Sequence, residues 1–284
     1  MAYRIGRQED VAEGLLRLLR ADLDAARRYL RVSGRSADRI HRARRRLKRA
    51  RTILRVLEPR FGEAAVATRR MLTEASRLMS RARDADVAVG GARALAEAEG
   101  ANADLGFDRV VDTLEDAAIQ ANRQRTPIAE ISSRLAAARR TVDLFDANFD
   151  GGALLARGLT RSYAKGRKAL RRAETSLSTP DLHRWRKRVK DLWHLFLIAR
   201  AQIQRKTRRP VKQLDLLAET LGSDNDHALL AEKLALSPTG DPQLMSQLGV
   251  IAQHRNALEA DAFALGHRLY RRKPEEFSRR FKLR

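Results

Sequence analysis

One short string occurs twice in this chain. HRARRRLK, from His41 to Lys48, and HRWRKRVK, from His183 to Lys190, are identical at five of eight positions, with Arg/Lys and Leu/Val exchanges at two more. They stand 142 positions apart in a chain of 284 residues, so the offset is half the length. The same offset carries Asp84 of SRARDADV onto Asp226 of GSDNDHAL, and Met79 and Ser80 onto Leu221 and Gly222. Two separate motifs in one register are the mark of a tandem duplication. Each half, 1–148 and 149–284, is therefore expected to form a helical bundle, the two being related by a pseudo-twofold axis, with the joint near Asn148 to Gly152.

The helical assignment rests on periodicity. Segments rich in Ala, Leu, Arg and Glu alternate with short breakers at VSGRS, EPRFG, EGANADLG, NRQRTP, DANFDGG, SLSTP, LGSDND and LSPTGDP, and no segment alternates with a period of two. An all-α chain of eight to ten helices follows. In the first repeat the apolar residues Ile40, Ala43, Leu47, Ala50, Leu54 and Leu57 step by three and four, as a bundle seam requires. Leu182, Trp185, Val189, Leu192, Phe196 and Ala199 repeat that register. Thr179, Pro180 and Asp181 are expected to start the second helix, and Pro59 to stop the first.

A second stripe runs beside each seam. His41, Arg44, Lys48, Arg51 and Arg55 lie on one face, spanning about 21 Å at 1.5 Å per residue, and His183, Arg186 and Lys190 form the matching row. Arg45 and Lys187 flank these rows at equivalent positions. Eight Lys or Arg fall between Arg39 and Arg51 with no acid among them. Like charges at this spacing repel by a few tenths of a kcal/mol per pair (~0.2–0.5), so an unrelieved row costs stability. Two readings compete: a solvated Arg-rich face, and a surface for a polyanion. A solvated face usually intersperses Glu, as RQEDVAEGLLRLLRADLDAARR does, whereas here both halves keep the same His, Arg, Arg and Lys.

Composition agrees in kind without naming a ligand. The net charge is +23, from 58 basic and 35 acidic residues, and such a field attracts nucleic acid, anionic membrane and phosphate polymers alike. Because 48 of the basic residues are Arg, part of the excess can reflect codon bias. No apolar run is long enough to span a bilayer, MAYRIGRQED has no signal-peptide core, and there is no cysteine; the expectation is a cytoplasmic protein with no membrane partner.

The pattern H-x-x-R-[RK]-x-x-K on a helix, followed by a second helix and an [RN]-D turn, and then repeated, resembles the CHAD family, the conserved-histidine α-helical domains. The resemblance covers essentially the whole chain. It implies two tandem four-helix-bundle repeats with a basic groove or pore between them that binds inorganic polyphosphate, noncatalytically, in association with polyphosphate granules. Carried over residue by residue, it implies His41, Arg44, Arg45, Lys48 and Arg51 as ligands from the first repeat, and His183, Arg186, Lys187 and Lys190 from the second. Arg55, one turn further along the first row, and Arg83, beside Asp84, complete the candidate set. Departures are Trp193 where the first repeat has Arg51, and Asp191 where it has Arg49, which shorten the second row.

The two histidines carry two readings, phosphate contact or anchoring to a neighbouring helix. Asp84 and Asp226 invite a catalytic role, but Asp after a helix end is an ordinary cap, and capping or orienting is expected. No G-x-x-x-x-G-K-[ST], H-E-x-x-H, G-x-G-x-x-G, His-Asp or E-x-E-x-K string is present, and His194, His227, His254 and His267 show no ligand spacing. No metal, cofactor or catalytic residue is expected. A nucleic-acid-binding helical protein is the alternative, supported by RLYRRKPEEFSRRFKLR and QRKTRRPVK but weakened by an aromatic content of 5%. A phosphohydrolase is the third reading.

Overall fold

A computed structural model of the chain describes residues 3–31, 37–98, 107–123, 128–236 and 243–283, without the side chains of 37, 80–87, 98, 108 and 120–123. These residues form ten helices: α1 (Val11–Arg31), α2 (Ala37–Leu78), α3 (Ser80–Ala98), α4 (Phe107–Arg123), α5 (Ile128–Asp143), α6 (Gly151–Ser176), α7 (Thr179–Ala199), α8 (Arg208–Ala235), α9 (Leu244–Tyr270) and α10 (Pro274–Arg280). Among the described residues there is no β-strand, only an isolated antiparallel bridge between Ile203 and Leu283. None of their helices is long and apolar enough to cross a membrane.

The seams read from the sequence are core. Ala43, Leu47, Ala50, Leu54 and Leu57 are fully buried, as are Trp185, Val189, Leu192 and Ala199, while Ile40 packs against them from a half-buried position. These residues join one apolar cluster that also takes Leu15 and Leu19 from α1, Leu135 from α5, Leu155 and Tyr163 from α6, and Phe277 from α10. A smaller cluster lies apart, built by Ala88, Ala92 and Leu95 of α3, Phe107, Val110 and Leu114 of α4, Leu230 and Leu234 of α8, and Ile251 of α9. The molecule is thus a body around α1, α2, α6 and α7 with a four-helix arm at one side.

Three breakers act differently from expectation. Pro59 does not end the first basic helix. It is carried inside α2, and the chain turns at Gly62, whose φ of 50° and ψ of −129° suit glycine alone. Phe61 stacks on Phe145 with ring centroids 4.0 Å apart and locks that turn to the end of α5. Beyond it the helix doubles back, so that Arg44 Nη1 donates to the Ser76 carbonyl at 2.6 Å. The cap of α7 is Ser178 rather than Thr179: the Ser178 carbonyl accepts from the backbone N–H of Asp181 and Leu182. Thr179 instead accepts from Arg255 Nη2 at 3.1 Å.

Gly222 and Asp226 mark no helix end either, because α8 runs unbroken through both. Gly and Asp are weak helix formers, but Asp224 is 2% exposed and holds Arg255 Nε at 2.8 Å. That buried pair ties α8 to α9 and overrides propensity. Where the joint between halves was expected, α6 begins at Gly151 with Asp150 capping it, its carboxylate accepting from Ala153 N at 2.8 Å. A Cβ on Gly151 would stand 2.3 Å from Ala12 N, so α6 crosses the start of α1 at backbone distance.

Candidate cationic trough

The two basic rows belong to α2 and α7, and these helices pack against each other. Contact at the core seam leaves the rows on the flank where the helices meet. Thr52 Oγ1 lies 3.5 Å from Asp191 Oδ1, and Arg55 Nη1 donates to the same oxygen at 2.8 Å.

Mutual electrostatics locate the remaining cations. His183 is half-buried and its pKa is lowered, first by burial and then by the charges of Lys187, Arg186 and Lys48; Lys48 comes from the opposite row. Lys187 is likewise held below the ordinary lysine range by burial and by Arg188, Arg51, Arg184 and Arg77. Burial pushes Arg51 down to about 10, helped by Arg55, Arg44 and Arg69 and opposed by Asp191. Its Nε is buried with no hydrogen-bond partner among the described residues. Lys48 and Arg51 of α2 thus stand close enough to His183 and Lys187 of α7 to lower their pKa values.

Each candidate can now be placed. His183 Nδ1–H donates to Asn225 Oδ1 of α8, and the Asn225 amide N–H reaches Asp226 Oδ1 at 3.4 Å. The amide orientation fixes the tautomer, leaving Nε2 to gain or lose a proton. So His183 is anchored to a neighbouring helix and stands among the cations at once. Asp226 holds that anchor at second hand, inside a helix rather than as a cap.

Arg186 lies against α8, its Nη2 3.1 Å from where a Cβ on Gly222 would stand. A side chain at 222 would crowd that guanidinium. Arg44 in the first row lies against the returning limb of α2 through Ser76. His41, Lys48 and Lys190 are half-buried on the same helices, and Arg45 is exposed.

Two candidates stand differently. Arg55 is held by Asp191, which also takes Arg188 Nη1 at 3.1 Å. The first row therefore ends electrostatically at Arg51, and beyond it lies a cavity of about 280 Å³ of mixed charge, with Glu58 and Asp191 beside Arg69, Arg161 and Lys165. The side chains of Arg83 and Asp84 lie outside the described residues. Asp84 itself falls within α3, past its first turn.

The structure adds residues that the repeat did not reveal. His194, one turn beyond Lys190, is half-buried beside Trp193 and Tyr3, and its pKa is pushed down to about 3 by desolvation and by Arg49, Lys190, Lys48 and Arg45. It is a neutral imidazole at the base of the cationic flank. Its step of four from Lys190 was the available signal. Arg69 and Arg77 arrive from the returning limb of α2, and no helix-period rule links them to Arg51 and Lys187.

Carboxylates balance the far flank of α2 instead. Asp22 of α1 is 1% exposed, holds Arg46 Nη1 at 3.0 Å and Arg49 Nε at 3.1 Å, and has its pKa raised to about 6 by burial against the pull of those two cations. The Arg49 guanidinium carbon also sits 3.1 Å over the Tyr3 ring centroid. Among the described residues no three His, Cys, Asp or Glu side chains are grouped to hold a metal ion.

The sequence of residues 16–235, which carries both basic helices, matches the CHAD domain family. The chain belongs to the CHAD family. Its fold is similar to the crystal structure of the CHAD domain from the plant Ricinus communis, at a TM-score of 0.66 and 18% identity, over 95% of this chain and 93% of that one. PptA from Streptomyces chartreusis is similar at a TM-score of 0.62 and 18% identity, covering 92% of this chain and 99% of that one. No curated protein matches the chain. In this CHAD domain, then, His183 feels cations of its own helix, Lys187 and Arg186, and of α2, Lys48.

Proposed function

We propose that this CHAD domain binds inorganic polyphosphate along the trough between α2 and α7, does no chemistry on it, and sits in the cytoplasm on polyphosphate granules. In this reading the halves 1–148 and 149–284 are tandem repeats about a pseudo-twofold axis, each lending one basic helix. The observation that carries it is the shared field of Lys48, Arg51, His183 and Lys187, contributed by two helices that the sequence places in different halves. Cations so close repel one another and are stabilised by a multivalent anion.

Polyphosphate suits the trough because it carries charge on every phosphate and has no base to read. Guanidinium groups meet phosphate oxygens bidentately and ammonium groups meet them as point charges. Mounted on packed helices, these donors lose little freedom on binding. Trp185 and Phe196 of α7 are 0% and 1% exposed, so neither offers the stacking platform that single-stranded nucleic acid uses, and Trp193 is half-buried against His194.

The test is a titration with polyphosphate of defined length at two salt concentrations, beside Arg44→Ala, Lys48→Ala, Arg186→Ala and Lys190→Ala. Binding should weaken steeply with salt through counterion release, and each variant should lose roughly tenfold, the scale of one charged hydrogen bond. Polyphosphate should displace DNA at matched phosphate concentration. DNA displacing polyphosphate would instead favour a nucleic-acid partner, and metal-dependent release of phosphate would establish an enzyme.

A further inference from the structure

The basic segments QRKTRRPVK and RLYRRKPEEFSRRFKLR are not part of the trough, yet the fold brings them together. The loop after α7, the first turn of α8, the end of α9 and α10 surround a pocket of about 550 Å³, within the ordinary range for small-molecule sites. Its α7 residues, Leu192 and Phe196, lie on the seam side of that helix, away from the His183 row. It is a separate site.

The rim is cationic throughout. Arg205, Lys206 and Arg209 stand on one side and Arg271, Arg272 and Arg280 on the other, and no acid lines the pocket. None of these six makes an ion pair among the described residues, whereas Arg17, Arg46, Arg60, Arg139 and Arg255 elsewhere all do. Crowding by Arg205, Arg272 and Arg271, after desolvation, lowers the pKa of Arg280.

The floor is aromatic. Phe281 is half-buried and meets Phe196 edge-on at 5.1 Å, and Phe277 at 5.0 Å, while Phe277 stacks on Tyr163 at 4.0 Å. Phe196, Phe277 and Tyr163 are buried beneath, so no acyl-chain tunnel opens through them. A bare phosphate polymer would leave the exposed part of this floor uncovered. A flat ring carrying several phosphates would cover it and reach the rim.

We propose that this pocket binds a nucleoside polyphosphate, the base lying on Phe281 and the phosphates held by the arginines around it. ATP is the probe, in EDTA, compared with inorganic tripolyphosphate and adenosine by titration calorimetry at fixed ionic strength. With the trough weakened by Lys48→Ala/Lys190→Ala, ATP should bind at least ~5-fold more tightly than tripolyphosphate, the low end of what base stacking contributes, and adenosine should bind far more weakly than ATP.

Arg205→Ala/Arg280→Ala, at two exposed positions, should cost ATP about tenfold or more. Phe281→Leu, which keeps apolar bulk and removes the ring face, should bring ATP and tripolyphosphate to similar affinities. Lys48→Ala/Lys190→Ala should leave ATP binding intact, which separates this site from the trough reading.

Equal affinity for ATP and tripolyphosphate in the Lys48→Ala/Lys190→Ala background, where the trough is weakened, would overturn the proposal, and that comparison stands whether or not Phe281→Leu folds. Loss of ATP binding in the trough variant would overturn it too. An oligonucleotide displacing ATP far more strongly per nucleotide would reassign the pocket to a nucleic-acid contact.

Discussion

His183 and His194 are both held below the ordinary histidine pKa, by burial first and by neighbouring cations next. His183 titrates below its ordinary range because of burial and of Lys187, Arg186 and Lys48, but its Nε2 is left to take a proton. A bound polyanion reverses the local field and raises that pKa, so binding takes up a proton and tightens as pH falls. Affinity for polyphosphate measured by titration should be higher at pH 6 than at pH 8, and His41→Ala/His183→Ala should flatten the slope. An unchanged slope in that variant would remove the histidines from the site.

His194 is a stability matter instead. Its folded pKa of about 3 lies below the ordinary value of about 6.5, so the unfolded chain binds a proton that the folded chain refuses. Its contribution is whole above about pH 6.5 and is lost as pH falls toward 3, at about 1.4 kcal/mol per pH unit. Denaturant midpoints from pH 7 to pH 5 should drop less steeply in His194→Leu than in the parent.

At the scale of the element, the cost of a helix with eight cations in thirteen residues is divided between its two sides. The flank toward α1 is relieved by Asp22, which takes both Arg46 and Arg49. The end of the row is relieved by Asp191 from α7, which takes Arg55. Neither acid is near in sequence, which is why the row reads as unrelieved at i±4.

Asp191 is therefore expected to limit the length of chain bound. Asp191→Asn should release Arg55 and Arg188 to the ligand, tighten polyphosphate binding, and steepen the salt dependence by about one unit in log K against log salt. Weaker binding in that variant would show that Asp191 orients the row rather than ending it.

The whole molecule depends on both halves. The central apolar cluster takes residues from α1, α2 and α5 and from α6, α7 and α10, the backbone N–H of Ile5 donates to the Ile198 carbonyl at 3.0 Å, and Gln202 Nε2 reaches the Glu9 carbonyl at 3.3 Å. The arm likewise joins α3 and α4 to α8 and α9. Residues 1–148 and 149–284 expressed separately should each lack a cooperative thermal transition by circular dichroism, and should regain one on mixing. A cooperative transition in either half alone would make the repeats independent domains.

The apolar step of three and four determined by itself that these were helices, which face was core, and that His41, Arg44, Lys48 and Arg51 lie on one face of their helix as His183, Arg186 and Lys190 lie on one face of theirs. That information is local: a helix of known pitch converts spacing into direction. Tertiary structure decided what those sides face. The turn at Gly62 brings Arg69 and Arg77 to the row, Asp191 closes Arg55, and Asn225 fixes the tautomer of His183. Buried packing around Asp224 and Gly222 carries α8 through a stretch that reads as a turn. Such pairings depend on distances across the fold, where burial strengthens charge interactions well beyond what neighbours along a solvated helix experience.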